Sequence, residues 1–207
     1  GNEFFKTATN QAPRFAQPGE EGEYLQVRLE LKILADCGLV GLPNAGKSTF
    51  ISAVSAAKPK IAPYPFTTLV PNLGVMLHDG DYDKRMVIAD IPGLIEGASQ
   101  GVGLGHRFLK HVERTRFLVH ILSAADIDPD GETPWEGFDL INEELRLFDE
   151  SLATRGQIEV VNKIDLLDDE QLGKLKSAAE KAGRKIFFIS ALEKIDLEPL
   201  VEEMWRL

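Results

Sequence analysis

A single cysteine, Cys37, stands in the 207 residues, so no disulfide can form within the chain, and a reducing compartment suits it. No apolar run approaches the roughly 20 residues that a helix needs to cross a bilayer. Nor does a basic stretch followed by an apolar one mark an export leader, so the cytoplasm is the expected location. Surplus positive charge is also missing: 23 Lys and Arg against 33 Asp and Glu leave a formal net charge of −10. That argues against a general nucleic-acid-coating surface, which needs clustered cations, but leaves room for a local basic patch. His78, His106, His111 and His120 show no metal-ligand spacing, and no Ser-His-Asp or Cys-His arrangement stands out. The acidic stretch "DIDPDGETPWEG", Asp126 to Gly137, lacks EF-hand spacing and reads as a surface insertion. What remains, 43% apolar and 27% charged, is the balance of an ordinary globular domain large enough to bury one core.

The pattern along the chain is one of strands alternating with helices. "TNQAPRFAQPGEEGE" is rich in Pro, Gly, Asn and Glu without an apolar period, and reads as an extended linker. Residues 1–30 are therefore expected to be the end of a preceding domain plus a linker, and residues 31–207 the main domain. "LKILADCGLVG" is a mostly apolar strand running into a glycine-rich turn, and "GKSTFISAVSAA" follows as a helix. Pro59, Pro63, Pro65 and Pro71 forbid a regular helix over 58–71. "NLGVMLH" and "RMVIAD" form a hairpin around "DGDYD". A helix is expected over about 104–114, then the strand "FLVHIL". Phe138, Ile141, Leu145, Phe148 and Leu152 recur at helical spacing. The strand "IEVVN", a helix around 168–182, the strand "IFFIS" and a last helix complete the count. The expected class is α/β: a mostly parallel sheet of about six strands, with helices on both faces.

Two motifs carry the chemistry. "GLPNAGKS" (Gly41, Leu42, Pro43, Asn44, Ala45, Gly46, Lys47, Ser48) fits G-x-x-x-x-G-K-[ST] with a strand before and a helix after. Its glycines let amide N–H groups turn onto phosphate oxygens, and Lys47 brings charge to the β- and γ-phosphates. Ser48 offers a hydroxyl to Mg²⁺. "NKID" (Asn162, Lys163, Ile164, Asp165) follows a buried strand, where a doubly wound sheet places its ligand loops. A carboxylate at Asp165 can accept from guanine N1–H and the 2-amino group; adenine offers neither donor. "SAL" (Ser190, Ala191, Leu192) ends the last strand where an N–H can meet guanine O6. Between these, Thr68 is expected to complete the Mg²⁺ shell. Asp90 would hold that ion through water, and the Gly93 N–H would bind the γ-phosphate. Loop neighbours Thr49, Phe66, Thr67, Leu69, Val70, Ile91 and Pro92 complete the expected nucleotide-contacting set, in which Lys47, Thr68 and Gly93 serve catalysis.

With "FTTLVPNLG", "DIPGLIEGASQGVGLGHRFLKHVERT" and the linker in view, the chain resembles the Obg family of GTPases over nearly all its length. The resemblance implies a Ras-like G domain, joined at its start to the stub of a glycine-rich N-terminal domain. It implies a slow Mg²⁺-dependent GTPase that associates with the large ribosomal subunit and acts in its assembly, with links to guanine alarmones. A monomer is expected. A sister family lacking N-K-x-D prefers ATP, and the intact "NKID" argues against that assignment.

Many such switch proteins place a glutamine after Asp-x-x-Gly to hold the attacking water; here the position is Leu94. Either the domain cleaves GTP by phosphate positioning and charge stabilisation, or it is a sensor of GTP, GDP or alarmone that scarcely turns over. Asn44 bears on this choice, because some relatives with an apolar residue at the Leu94 position have asparagine there and use it to help bind K⁺, whereas many members of the Obg family carry serine at this place. The alternative for Asn44 is tolerance of a tight turn. "GVGLG" follows no strand directly and is not read as a dinucleotide motif. Arg107, Lys110, His111 and Arg114 share one helix face, which is either solvated or meets an effector or RNA.

Overall fold

The structure is a computed structural model that describes residues 2–12, 14, 19–27, 35–56, 60–61, 72–90, 115–148 and 150–207. The chain divides into two units, Gly1–Leu31 and Lys32–Leu207. In the first, Asn2–Phe5 form a 3₁₀ turn and the rings of Phe4 and Phe5 meet edge to face.

The second unit is built on a sheet whose strands, in chain order, are β1 (Cys37–Val40), β2 (Lys60–Ile61), β3 (Asn72–His78), β4 (Asp81–Asp90), β5 (Phe117–Ser123), β6 (Gln157–Asn162) and β7 (Ile186–Phe188). Their spatial order is β2-β3-β4-β1-β5-β6-β7. The pairs made by β1, β5, β6 and β7 are parallel; β2–β3 and β3–β4 are antiparallel. The six expected strands are present, and the two-residue β2 adds an edge strand that residue patterning does not foretell.

Every residue of β5 is buried, which fits a strand covered on both faces. Helices α1 (Lys47–Val54) and α5 (Leu197–Arg206) cover one face, packing Phe50, Ile51, Leu200 and Met204 onto Leu39, Val119 and Ile121. Helices α2 (Glu136–Phe148), α3 (Glu150–Ala153) and α4 (Asp169–Lys181) supply the cores of the other, with Ile141 and Leu145 beside Leu118, and Phe138 and Leu175 beside Leu122 and Val161. A capping box starts α4: Asp168 accepts from the Gln171 N–H at 2.8 Å, and Gln171 accepts from the Asp168 N–H at 3.1 Å. The helix expected near 138–152 corresponds to α2 and α3, which flank residue 149, a position outside the described residues. The helix expected over 104–114 lies outside the described residues.

Candidate functional site

Loop 41–46 joins β1 to α1 at the end of the sheet where β4 and β6 also finish. Its two glycines are dictated by their surroundings. A Cβ on Gly41, at φ +150°, would sit 2.1 Å from the Ile121 carbonyl oxygen. One on Gly46, at φ +93°, would sit 2.2 Å from Asn162 Nδ2. Between them Asn44 adopts a left-handed conformation at φ 63° with its side chain exposed. The left-handed turn at Gly46 opens directly into α1, whose first residues are Lys47 and Ser48.

Lys47 folds back over the loop, its Nζ donating to the carbonyls of Gly41 and Leu42 at 2.9 Å each. Burial pulls its pKa below the ordinary lysine value, and the Asp90 carboxylate pushes the other way. Asp90 ends β4 as the Cα partner of Leu39 in β1. Its Oδ2 accepts from Ser48 Oγ at 2.6 Å. Its Oδ1 is buried and has no hydrogen-bond partner among the described residues, an arrangement that costs free energy unless a cation or water meets it. Thr49 follows on α1, exposed.

Beside this loop lies the turn after β6. Asn162 is buried, and both ends of its carboxamide are engaged within the protein. Nδ2 donates to the Ala45 carbonyl, and Oδ1 accepts from the Ala191 N–H, each at 2.9 Å. Asn162 therefore ties the glycine-rich loop to the loop after β7. Lys163 takes a left-handed conformation at φ 65°, and Ile164–Leu166 make a 3₁₀ turn that exposes Asp165. The Asp165 carboxylate accepts from Ser190 Oγ at 2.5 Å, and that hydroxyl accepts from the Glu193 N–H at 3.1 Å. A two-bond bridge between Ser190 and Ile195 closes the loop. Ala191 is buried and Leu192 exposed.

Of the sequence-derived candidates, residues 41–49, Asp90, 162–165 and 190–192 are brought together along one end of the sheet. Phe66, Thr67, Thr68, Leu69, Val70, Ile91, Pro92, Gly93 and Leu94 lie outside the described residues, as does the basic set Arg107, Lys110, His111 and Arg114.

One neighbour of the site is not foretold by the sequence. His120 in β5 is the Cα partner of Val40, the residue before Gly41. It is fully buried, neither ring nitrogen has a hydrogen-bond partner among the described residues, and Phe138 meets the ring edge to face at 4.7 Å. Burial, together with the positive charges of Arg184 and Lys47, pushes its pKa down to about 3, so the imidazole is neutral. Its signal in the sequence is slight: one polar letter in the otherwise apolar "FLVHIL".

A phosphate-type loop between strand and helix, a carboxylate ending the neighbouring strand and an Asn-Lys-x-Asp turn on the same sheet end define a P-loop G domain. Residues 36–163 match the family described as 50S ribosome-binding GTPase. The GTPase Obg of Oleidesulfovibrio alaskensis is 72% identical over 207 residues, covering all of this chain and 56% of that protein. The GTPase Obg of Nitratidesulfovibrio vulgaris (strain DP4) is 70% identical with the same coverage. The chain belongs to the 50S ribosome-binding GTPase family and, within it, to the Obg GTPases. It spans little more than half the length of those curated relatives. Among solved structures, a variant of Aquifex aeolicus Era bound to GDP and AlF4⁻ matches with a TM-score of 0.58 at 21% identity, over 85% of this chain and 57% of that one. The G domain of the T. maritima FeoB iron transporter matches with a TM-score of 0.55 at 19% identity, over 83% and 98%. At these identities the likeness speaks for the fold. Among the described residues, no helix is long and apolar enough to cross a membrane.

Proposed function

We propose that the domain binds GTP and cleaves it to GDP and phosphate. The observation that carries this reading is the Asn162 clamp, which sets the glycine-rich loop and the Asp165 turn side by side at 2.9 Å bonds. A triphosphate in the first leaves its base within reach of the second. Backbone N–H groups of residues 44–48 take the phosphates, and Lys47 exchanges its two carbonyl partners for phosphate oxygens as it stabilises the transferring charge. Asp165, held by Ser190, accepts from guanine, while Asn162 positions the two loops.

Ser48 and Asp90 fit a Mg²⁺ site: a hydroxyl beside a buried carboxylate with one oxygen unspent. Bound there, Mg²⁺ would neutralise developing phosphate charge. Thr68 would complete that shell, and Thr68 and Gly93 would sense the γ-phosphate. Asn44, exposed at the apex of the loop, would help hold K⁺, which would supply positive charge beside the phosphates where no glutamine follows Gly93. Residues 1–30 are the linker and stub of a preceding domain. The longer, cytoplasmic protein acts as a monomeric switch in assembly of the large ribosomal subunit and answers to guanine alarmones.

The test is single-turnover cleavage of GTP with Mg²⁺, in KCl and in NaCl at equal ionic strength, with ATP as competitor. Acceleration in KCl that disappears in Asn44→Ala is expected, and ATP should not compete. Equal, near-zero rates in both salts would leave a guanine-nucleotide sensor instead. Competition by ATP would remove the assignment of Asp165.

A further inference from the structure

Among the described residues Asp90 is the one buried carboxylate, and only one of its oxygens is engaged there: Oδ2 takes the Ser48 hydroxyl, while Oδ1 has no partner. The residue directly across the ladder is Asn72, its half-buried Cα partner at the start of β3. Both side chains project from the same face of the sheet. Gly74 and Met76, two and four residues on, lie toward α1: a Cβ on Gly74 would meet Ile51 Cγ2 at 2.4 Å, and Met76 shares a core with Phe50. Their partners Ile88 and Met86 belong to that core too. By the two-residue period of both strands, Asn72 and Asp90 stand on this α1 face, where Ser48 is. Side chains directly opposite in an antiparallel pair have Cβ atoms about 4.5–5.5 Å apart, a span that a carboxamide and a carboxylate can close.

Strand β3 is itself fixed against α1. Ser55, which caps the end of that helix, holds Val75 by both backbone groups: Oγ donates to its carbonyl at 3.2 Å and accepts from its N–H at 3.1 Å. The Ala56 N–H donates to the same carbonyl at 2.8 Å. The helix that begins with Lys47 and Ser48 thus sets, at its other end, where β3 runs and where Asn72 stands.

We infer that Asn72 is a positioning residue of the Ser48–Asp90 site: its side-chain amide donates to Asp90 Oδ1 and fixes the orientation of the carboxylate when Mg²⁺ is bound. The inference rests on the reading of that pair as the Mg²⁺ site. Carboxylates that serve metals are themselves hydrogen-bonded, and those outer partners set affinity. An amide suits the position because it brings N–H donors without charge. A lysine would put its own charge in place of the cation, and a second carboxylate would repel the first. An oxygen with two lone pairs can accept from Asn72 and still meet the cation or its hydration water. The amide does not meet Oδ1 in this structure, but χ2 of asparagine is broad, so turning it costs little. Asparagine is also depleted in strands, so this letter gains nothing from the sheet itself.

The test loads the whole chain with a fluorescent GDP and follows release over a series of Mg²⁺ concentrations, each protein referred to its own rate in EDTA. Release from the unaltered chain should slow as Mg²⁺ rises, and Asp90→Ala should remove that response. Asn72→Ala should raise the half-effect concentration about tenfold, the low end for losing an outer partner of a metal ligand. Asn72→Leu, which keeps the volume but has no donor, should raise it as much. Urea unfolding of the nucleotide-free chains checks that both variants fold. An unchanged half-effect concentration in both would overturn the proposal. Recovery in Asn72→Leu alone would overturn it too, since packing and not the donor would then be at work. Release that ignores Mg²⁺ in the unaltered chain, or still responds to it in Asp90→Ala, would overturn it by a separate route, by removing the metal site.

Discussion

Gly46 shows how much one residue decides. Its φ of +93° is unfavourable for any side chain, and its Cα faces Asn162 Nδ2 so closely that a methyl would stand 2.2 Å away. Asn162 cannot yield without breaking its bonds to Ala45 and Ala191, which would strand buried polar groups at about 1–3 kcal/mol each. Gly46→Ala is therefore expected to lower GDP affinity by at least about tenfold, equivalent to about 1.4 kcal/mol. Isothermal titration measures it. Gly173, exposed within α4, is the contrast, because a methyl there would meet nothing within 4 Å. Gly173→Ala should leave GDP binding unchanged and stabilise the fold by about 0.5–1 kcal/mol. An unchanged affinity in Gly46→Ala would mean that the loop reshapes freely, against the clamp proposed here.

At the scale of elements, α4 owes its start to a local device. Asp168 and Gln171 satisfy each other's backbone donors, while Leu175 and Ala179 anchor the helix to the core. Asp168→Ala should cost about 1 kcal/mol, read as a lower urea midpoint at unchanged slope, because the exposed cap contributes nothing to packing. Such devices, and the main strands, are legible in the sequence: "NLGVMLH" is β3 at the bounds expected, since its period is set by one buried face. The hairpin partner is longer than its apolar letters. Residues 81–85 of β4 are all exposed and join the sheet through backbone bonds that no hydrophobic pattern records. "IFFIS" is shorter as a strand, because Ser190 leaves the ladder to bridge Ile195 and brace Asp165. The glycine-rich loop and Asn-Lys-x-Asp are legible because their spacing is fixed by ligand chemistry. That Asn162 turns inward to hold two loops is not, since it depends on a contact across 117 positions of sequence. His120 is hidden for the same reason: burial of a polar letter is a property of the packed sheet.

The whole molecule feels His120 through its proton balance. In the unfolded chain this histidine titrates near 6.5; in the fold, burial first and then the charges of Arg184 and Lys47 bring it down to about 3. Between those values the unfolded chain binds a proton that the folded one refuses. Stability therefore rises with pH through this window, is lost as pH falls below about 6.5, and stops falling on this account below about 3. The slope from one group is at most about 1.4 kcal/mol per pH unit, so about 2 kcal/mol is at stake between pH 6.5 and 5. Urea unfolding of the chain at pH 7.5 and pH 5 measures the loss. His120→Met keeps the volume and removes the titration, and its loss between the two pH values should be smaller than that of the unaltered chain by about 2 kcal/mol. Above pH 7 the variant should be at least as stable, since it also removes two buried nitrogens that have no partner among the described residues. If both proteins lose stability in parallel as pH falls, the imidazole is solvated or hydrogen-bonded in solution, and the acid sensitivity belongs to the carboxylates.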